Sequence, residues 1–239
     1  WSIQRADHGE QPYWALVTVA AMLGQIGLPG GGFGFSYHYA SGGAPSCNST
    51  VPGGFSGGKS PENMPEGIPV ARISDALLHP GESIDYNGHK VTFPDIKLVY
   101  WAGGNPFHHQ QDRNKMIQAW DKPETVIIQD QYWTASAKFA DIVLPISTSF
   151  ERNDLEMGGD YSTRFLFPMH QVIKPLYEAK SDYEVCAAIS ERLGYGERFT
   201  EGKNEMDWLE TFYDQAFKQS VAKGIKIPSF SKFWESGVY

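Results

Sequence analysis

Trp101-Ala102-Gly103-Gly104-Asn105-Pro106-Phe107-His108-His109-Gln110-Gln111-Asp112-Arg113-Asn114 is the stretch whose reading decides the fold. It follows the strand-like run Ile96-Lys97-Leu98-Val99-Tyr100 and precedes the helix-like run Met116-Ile117-Gln118-Ala119-Trp120. A strand, a glycine turn and then a helix is how α/β proteins present backbone N–H groups to a phosphate. Gly103-Gly104 lets the chain turn sharply and approach a ligand with no Cβ in the way. Asn105 adds an amide that both donates and accepts. A strand-to-helix loop without a ligand uses the same residues, so the glycine motif does not decide between the two readings.

The same rhythm extends outward. Residues 12–25 read as a helix, which the run Gly27-Leu28-Pro29-Gly30-Gly31-Gly32 stops. Residues 30–67 form a long segment rich in Gly, Ser, Pro and Asn, and its aromatics Phe33, Phe35, Tyr37, Tyr39 and Phe55 predict an ordered, packed loop. A short helical piece is predicted at 70–78, and a hairpin around Asn87-Gly88. Strands follow at 96–101, 125–129 and 142–144, with helical stretches at 111–120 and 134–139 between them. After a loop, helices are predicted at 183–193, capped by Ser181 or Asp182, and at 205–219. Strands alternating with helices predict an α/β fold, a parallel Rossmann-like sheet with helices on both faces. The expected organisation is one domain over residues 1–239, with the 30–67 loop inside it.

Composition limits the function. The formal net charge is −8, which argues against a general nucleic-acid binder. It leaves room for a nucleotide-containing cofactor, held by a few local groups. The two cysteines, Cys47 and Cys186, form no Cys-x-x-Cys pair, so no metal or iron–sulfur site is predicted for this chain and both thiols are read as buried. No apolar run reaches the roughly 18 to 20 residues of a membrane span. The sequence opens on Trp1 without a signal peptide, and reads as part of something longer or as a mature product.

Ligands of open parallel sheets sit beyond the carboxyl ends of the strands. Three segments meet that condition: Gly104-Asn105 with His108 and His109, then Gln129-Asp130, then the loop holding Ser147, Thr148, Ser149, Glu151, Arg152, Asn153 and Asp154. A carboxylate there accepts from ribose hydroxyls, or from the adjacent N–H groups of guanine. Asp130 and Asp182 are candidates for that role, with a turn or helix cap as the alternative. Arg152 offers a planar fork to phosphate or carbonyl groups, with an ion pair to Glu151 or Asp154 as its alternative. The histidines stand at no metal-ligand spacing and read as hydrogen-bond donors. Trp1 and Arg5 put a stacking group and a fork donor side by side in what is otherwise a frayed terminus.

Six motifs in order now resemble one family. They are Trp1-Ser2-Ile3-Gln4-Arg5, Met22-Leu23-Gly24-Gln25-Ile26-Gly27, Gly104-Asn105-Pro106, Trp133-Thr134, Ala140-Asp141-Ile142-Val143-Leu144-Pro145 and Glu151-Arg152-Asn153-Asp154. The chain is similar to the molybdopterin oxidoreductases, and within them to the dimethyl sulfoxide and trimethylamine N-oxide reductases. The extended run from Asn105 to Asn114 most resembles the trimethylamine N-oxide enzymes. The resemblance implies a bis(molybdopterin guanine dinucleotide)molybdenum cofactor and two-electron removal of oxygen from an N-oxide or S-oxide. It implies cofactor contacts at Trp1, Ser2, Arg5, Gly104, Asn105, His109, Gln129, Asp130, Arg152 and Asp182. It also implies a periplasmic location and an electron-donating cytochrome.

The resemblance departs from the family in length. Members are about three times longer, and no residue here matches their serine ligand to molybdenum. The chain therefore reads as an interior α/β domain that works with the remaining domains of one polypeptide, without a catalytic residue of its own and without turnover alone. A stand-alone nucleotide-binding module is a competing reading, but the Gly-x-Gly-x-x-Gly fingerprint after a first strand is missing. A structural fragment that binds nothing is a third. The expectation that unites the sites is that the loops gather along a single rim of the sheet.

Overall fold

The computed structural model describes residues 3, 6, 8–34, 52–55, 67–86, 88–158 and 165–236. The chain divides into two compact units, residues 1–36 with 59–144 and residues 37–58 with 145–239.

In the first unit, helix α1 (Gln11–Met22) has a proline in its first turn, where a missing N–H costs nothing. It buries Ala20 and leaves Trp14, Val17 and Met22 exposed. A single 3₁₀ turn (Val70–Arg72) leads into α2 (Ile73–Leu78). The hairpin of β1 (Ser83–Tyr86) and β2 (His89–Thr92) lies where the Asn-Gly signal predicts it, with Gly88 at φ +80°.

The parallel sheet follows. Strand β3 (Leu98–Ala102) pairs with β4 (Thr125–Asp130) in the register Leu98 to Thr125 through Ala102 to Gln129. β5 (Ile142–Pro145) lies on the other side of β4, giving the order β3-β4-β5. β3 leads to β4 through the one-turn helix α3 (Pro106–His109) and α4 (Arg113–Trp120). β4 leads to β5 through α5 (Ala135–Lys138). Helix α4 starts at Asp112, whose carboxylate accepts the Lys115 N–H at 3.1 Å. It buries Met116, Ala119 and Trp120, positions on one helical face. These residues pack with Leu77, Phe107, Val126, Ile128 and Ala137 as the core. Asp75 joins α2 to α4 through an ion pair with Lys115 and another with Arg72 at 2.8 Å. The α/β class and the parallel sheet agree with the sequence reading.

The second unit contains a hairpin where the sequence reading had only a loop. β6 (Asp154–Gly158) pairs antiparallel with β7 (Phe165–Met169). Pro168 inside β7 argues against a strand in sequence, but an edge strand tolerates it. Helix α6 (Asp182–Arg192) is opened by Ser181 in a capping box with Glu184, and α7 (Gly196–Thr200) follows. α8 (Glu205–Ala222) begins with a second capping box, Asn204 with Asp207. It buries Leu209, Phe212, Tyr213, Ala216 and Ser220 along one stripe. Against it lies α9 (Phe230–Ser236), with the Tyr213 and Phe233 rings stacked at 4.6 Å. Among the described residues no helix is long and apolar enough to cross a membrane.

Candidate functional site: two sets of cofactor-binding candidates

In the first unit the candidates collect at the carboxyl ends of β3 and β4. Gly103 and Gly104 both take positive φ, +75° and +71°. A Cβ at Gly103 would meet nothing within 4 Å, and one at Gly104 only Trp101 Nε1 at 3.9 Å. Backbone conformation, rather than crowding, is therefore what calls for glycine here. The turn is held from both sides. The Trp101 indole donates to Gly103 O at 2.8 Å, and Gly103 N donates to Gln129 O at 3.3 Å.

Asn105 opens α3, but its side chain does not cap that helix. It instead accepts a hydrogen bond from the hydroxyl of Ser136, a fully buried residue on α5. Ser136 Oγ in turn lies 3.4 Å from Phe107 N, one of the otherwise orphan donors of α3. This relay orients the Asn105 amide from across the sheet end. The sequence reading missed Ser136 because nothing local marks it.

Gln129 is buried, and its amide oxygen accepts from Tyr100 OH. Asp130 accepts from Tyr132 N at 3.2 Å and from Thr134 Oγ1 at 2.9 Å. Thr134 caps α5 by accepting from Ala137 N. Asp130 thus performs the turn-forming role foreseen as its alternative, and its oxygens keep further lone pairs for a ligand. His109 ends α3 and is exposed, as is His108.

In the second unit, Arg152 and Asp182 line one pocket of about 570 Å³. Arg152 Nε donates to Asp154 at 3.1 Å, and its Nη1 donates to Ser147 O at 3.1 Å. The ion pair foreseen as its alternative is therefore present. Three N–H groups of the fork keep no partner among the described residues. Asp182 is the first residue of α6 and is exposed; Ser181, not Asp182, makes the cap. The pocket wall is aromatic. Phe55 packs against Trp208 at 4.8 Å and edge-on to Phe212 at 5.1 Å.

Glu151 fixes the loop that carries Arg152. Its buried carboxylate accepts from Thr148 N at 2.7 Å and Leu176 N at 2.8 Å. The Thr148 N–H, and after it the Leu176 N–H, hold this carboxyl below the usual carboxylate range. Cys186, half-buried beside the pocket, has its thiol pushed up by burial and then by Asp182, so it stays protonated. Trp1, Ser2, Arg5 and Cys47 lie outside the described residues.

A sequence profile described as molybdopterin oxidoreductase matches residues 1–192. The chain belongs to the molybdopterin oxidoreductase family. Two relatives of this molybdopterin oxidoreductase chain illustrate the likeness. The dimethyl sulfoxide/trimethylamine N-oxide reductase of Cereibacter sphaeroides is 55% identical over 100% of the chain. The trimethylamine-N-oxide reductase of Haemophilus influenzae is 52% identical over 98% of it. The chain spans about 30% of the length of each. Among solved structures, acetylene hydratase from Pelobacter acetylenicus superposes with a TM-score of 0.53 at 18% identity. That match covers 71% of this chain and 20% of the other, and shows the fold alone.

The residues present suit the organic part of a molybdenum–molybdopterin cofactor. They offer a glycine turn, side-chain amides, carboxylates with spare lone pairs and a partly free guanidinium. Among the described residues no group of three or more His, Cys, Asp or Glu gathers as a metal site.

Proposed function

We propose that this chain is a cofactor-binding region of a molybdenum reductase that removes oxygen from trimethylamine N-oxide, and that it contacts the molybdopterin guanine dinucleotide form of the cofactor. When bound, that group supplies two-electron chemistry at the metal. This chain's residues bind and orient it. At the Gly103-Gly104 turn the Gly103 N–H is held by Gln129 O, and the Gly104 N–H is the one offered to a phosphate. Asn105, held by Ser136, presents an oriented amide. Gln129 and Asp130 serve a nucleotide moiety, and Arg152 brings its three remaining N–H groups. Asp182 accepts from a donor edge, while Trp1, Ser2, Arg5 and His109 add contacts. The observation that carries the reading is the register placing Ala102 opposite Gln129, so that both loops leave the same end of the sheet. The relatives' names support the oxygen-removing activity. The remaining domains of a longer polypeptide, a cytochrome donor and a periplasmic location complete the reading.

The test is a thermal-shift titration of the chain with GDP and ADP. A ligand at about a hundred times its Kd stabilises by roughly 2.7 kcal/mol, a readable shift. Preferential stabilisation by GDP is expected. A preference for ADP, or no shift with either, refutes the proposal.

A further inference from the structure

We infer that Trp101 is a positioning residue: its indole holds the Gly103 carbonyl, sets which way the Gly103–Gly104 peptide faces, and so aims the Gly104 N–H at the diphosphate of a nucleotide ligand. The inference rests on the cofactor reading and gives Trp101 a part in it that lies outside the contacts proposed above.

The Gly103–Gly104 peptide is poorly restrained by its own residues. It is trans, so its carbonyl and its N–H point in opposite directions. Turning the peptide over alters chiefly Gly103 ψ and Gly104 φ, and glycine accepts either sign of φ. Two successive glycines therefore leave two orientations open. One turns the Gly104 N–H away from the Trp101 ring. The other turns the Gly103 carbonyl oxygen that way, and its partial negative charge repels an anion. The structure takes the first, with Gly104 at φ +71°.

The restraint comes from Trp101. Its Nε1–H donates to Gly103 O at 2.8 Å, which points the Gly104 N–H away from the ring. Gly103 N donates to Gln129 O at 3.3 Å and ties the preceding peptide to β4, so the 103–104 peptide is the one the indole governs. The ring is itself held. It is half-buried, packs on the core and lies 5.9 Å from the Trp120 ring, which meets Phe107 edge-on at 5.5 Å. Gly103 and Gly104 are exposed, and Gly104 N donates to no backbone carbonyl among the described residues. A fixed donor thus orients a peptide that is open to a ligand. Tryptophan suits this task because its nitrogen donates and cannot accept, so it holds the carbonyl and never the N–H.

The test compares wild type with Trp101→Phe, which keeps a ring on the core and removes the N–H. Calorimetric titration of the chain with GDP is expected to show about five- to tenfold weaker binding by the variant, because the competent orientation is no longer held. Guanosine, which carries no phosphate, is expected to bind wild type and variant alike. A merely structural loss weakens both ligands, so equal losses overturn the inference, as does unchanged GDP binding. Where the variant misfolds or guanosine binds too weakly to read, NMR of wild type labelled at its glycine nitrogens decides. GDP is expected to move the Gly104 amide resonance more than that of Gly103, whose N–H is already bonded. The reverse order, or two unmoved resonances, overturns the inference. If GDP binds wild type and these outcomes fail, the inference falls and the cofactor reading stands. If GDP does not bind wild type, both fall.

Discussion

Replacing Ser136 by alanine tests the relay that orients Asn105. The hydroxyl donates to Asn105 Oδ1 and lies 3.4 Å from Phe107 N, in a site with no solvent access. Alanine removes both contacts and admits no water to replace them. A lost neutral hydrogen bond is worth about 1 kcal/mol, and a buried donor left unpaired costs about 1–3 kcal/mol. The contact to Phe107 N is long and Asn105 is half-buried, so the lower part of that range applies. The expected cost is about 2 kcal/mol, or roughly 4–8 °C in Tm for a chain of this size. Urea unfolding followed by tryptophan fluorescence reads it, since Trp101 and Trp120 sit at the site and in the core. A double-mutant cycle with Asn105→Ala isolates the pair, with an expected coupling of about 1 kcal/mol. A Ser136→Ala variant within about 0.5 kcal/mol of wild type, or a coupling near zero, refutes the relay.

Gly104→Ala is expected to cost about 1 kcal/mol through its positive φ alone, because no neighbour crowds the new Cβ. The same variant weakens GDP binding, as the thermal-shift titration reads. Ser181→Ala removes the capping box of α6 and is expected to cost about 1 kcal/mol in urea unfolding. Glu151 has a folded pKa below its unfolded one, so its contribution to stability is full above the usual carboxylate range and is lost as pH falls through the depressed value. Stability measured at decreasing pH is expected to fall more steeply in wild type than in Glu151→Gln; equal slopes contradict the assignment.

The sequence by itself determined much of the first unit. Continuous apolar and β-branched runs with a glycine turn make β3 and β4 legible, and the helix-like run between them makes α4 so, because local propensity and burial agree there. Asn-Gly marked the β1–β2 hairpin for the same reason. The loop before α4 hid the single turn of α3, too short for any periodic signal. The β6–β7 hairpin was illegible because Pro168 contradicts a strand and each partner is only five residues long. α9 buries only Phe233 among its residues and likewise shows no stripe.

The candidate residues were legible as types at strand ends, but their partners were not. Asn105 meets a serine 31 positions away, and Arg152 meets the carbonyl of Ser147 besides the acid that sequence foresaw. Phe55, from a segment far earlier in the chain, packs against α8. Glu205 carries no signal of its own in the sequence; burial, and after it the nearby Glu184 and Asp154, push its carboxyl above the ordinary range. Local propensity and periodicity act over a few residues, and they decided which elements form. Hydrogen-bond partners, pocket walls and proton affinities come from groups distant along the chain and near in space, and only the tertiary structure decided those.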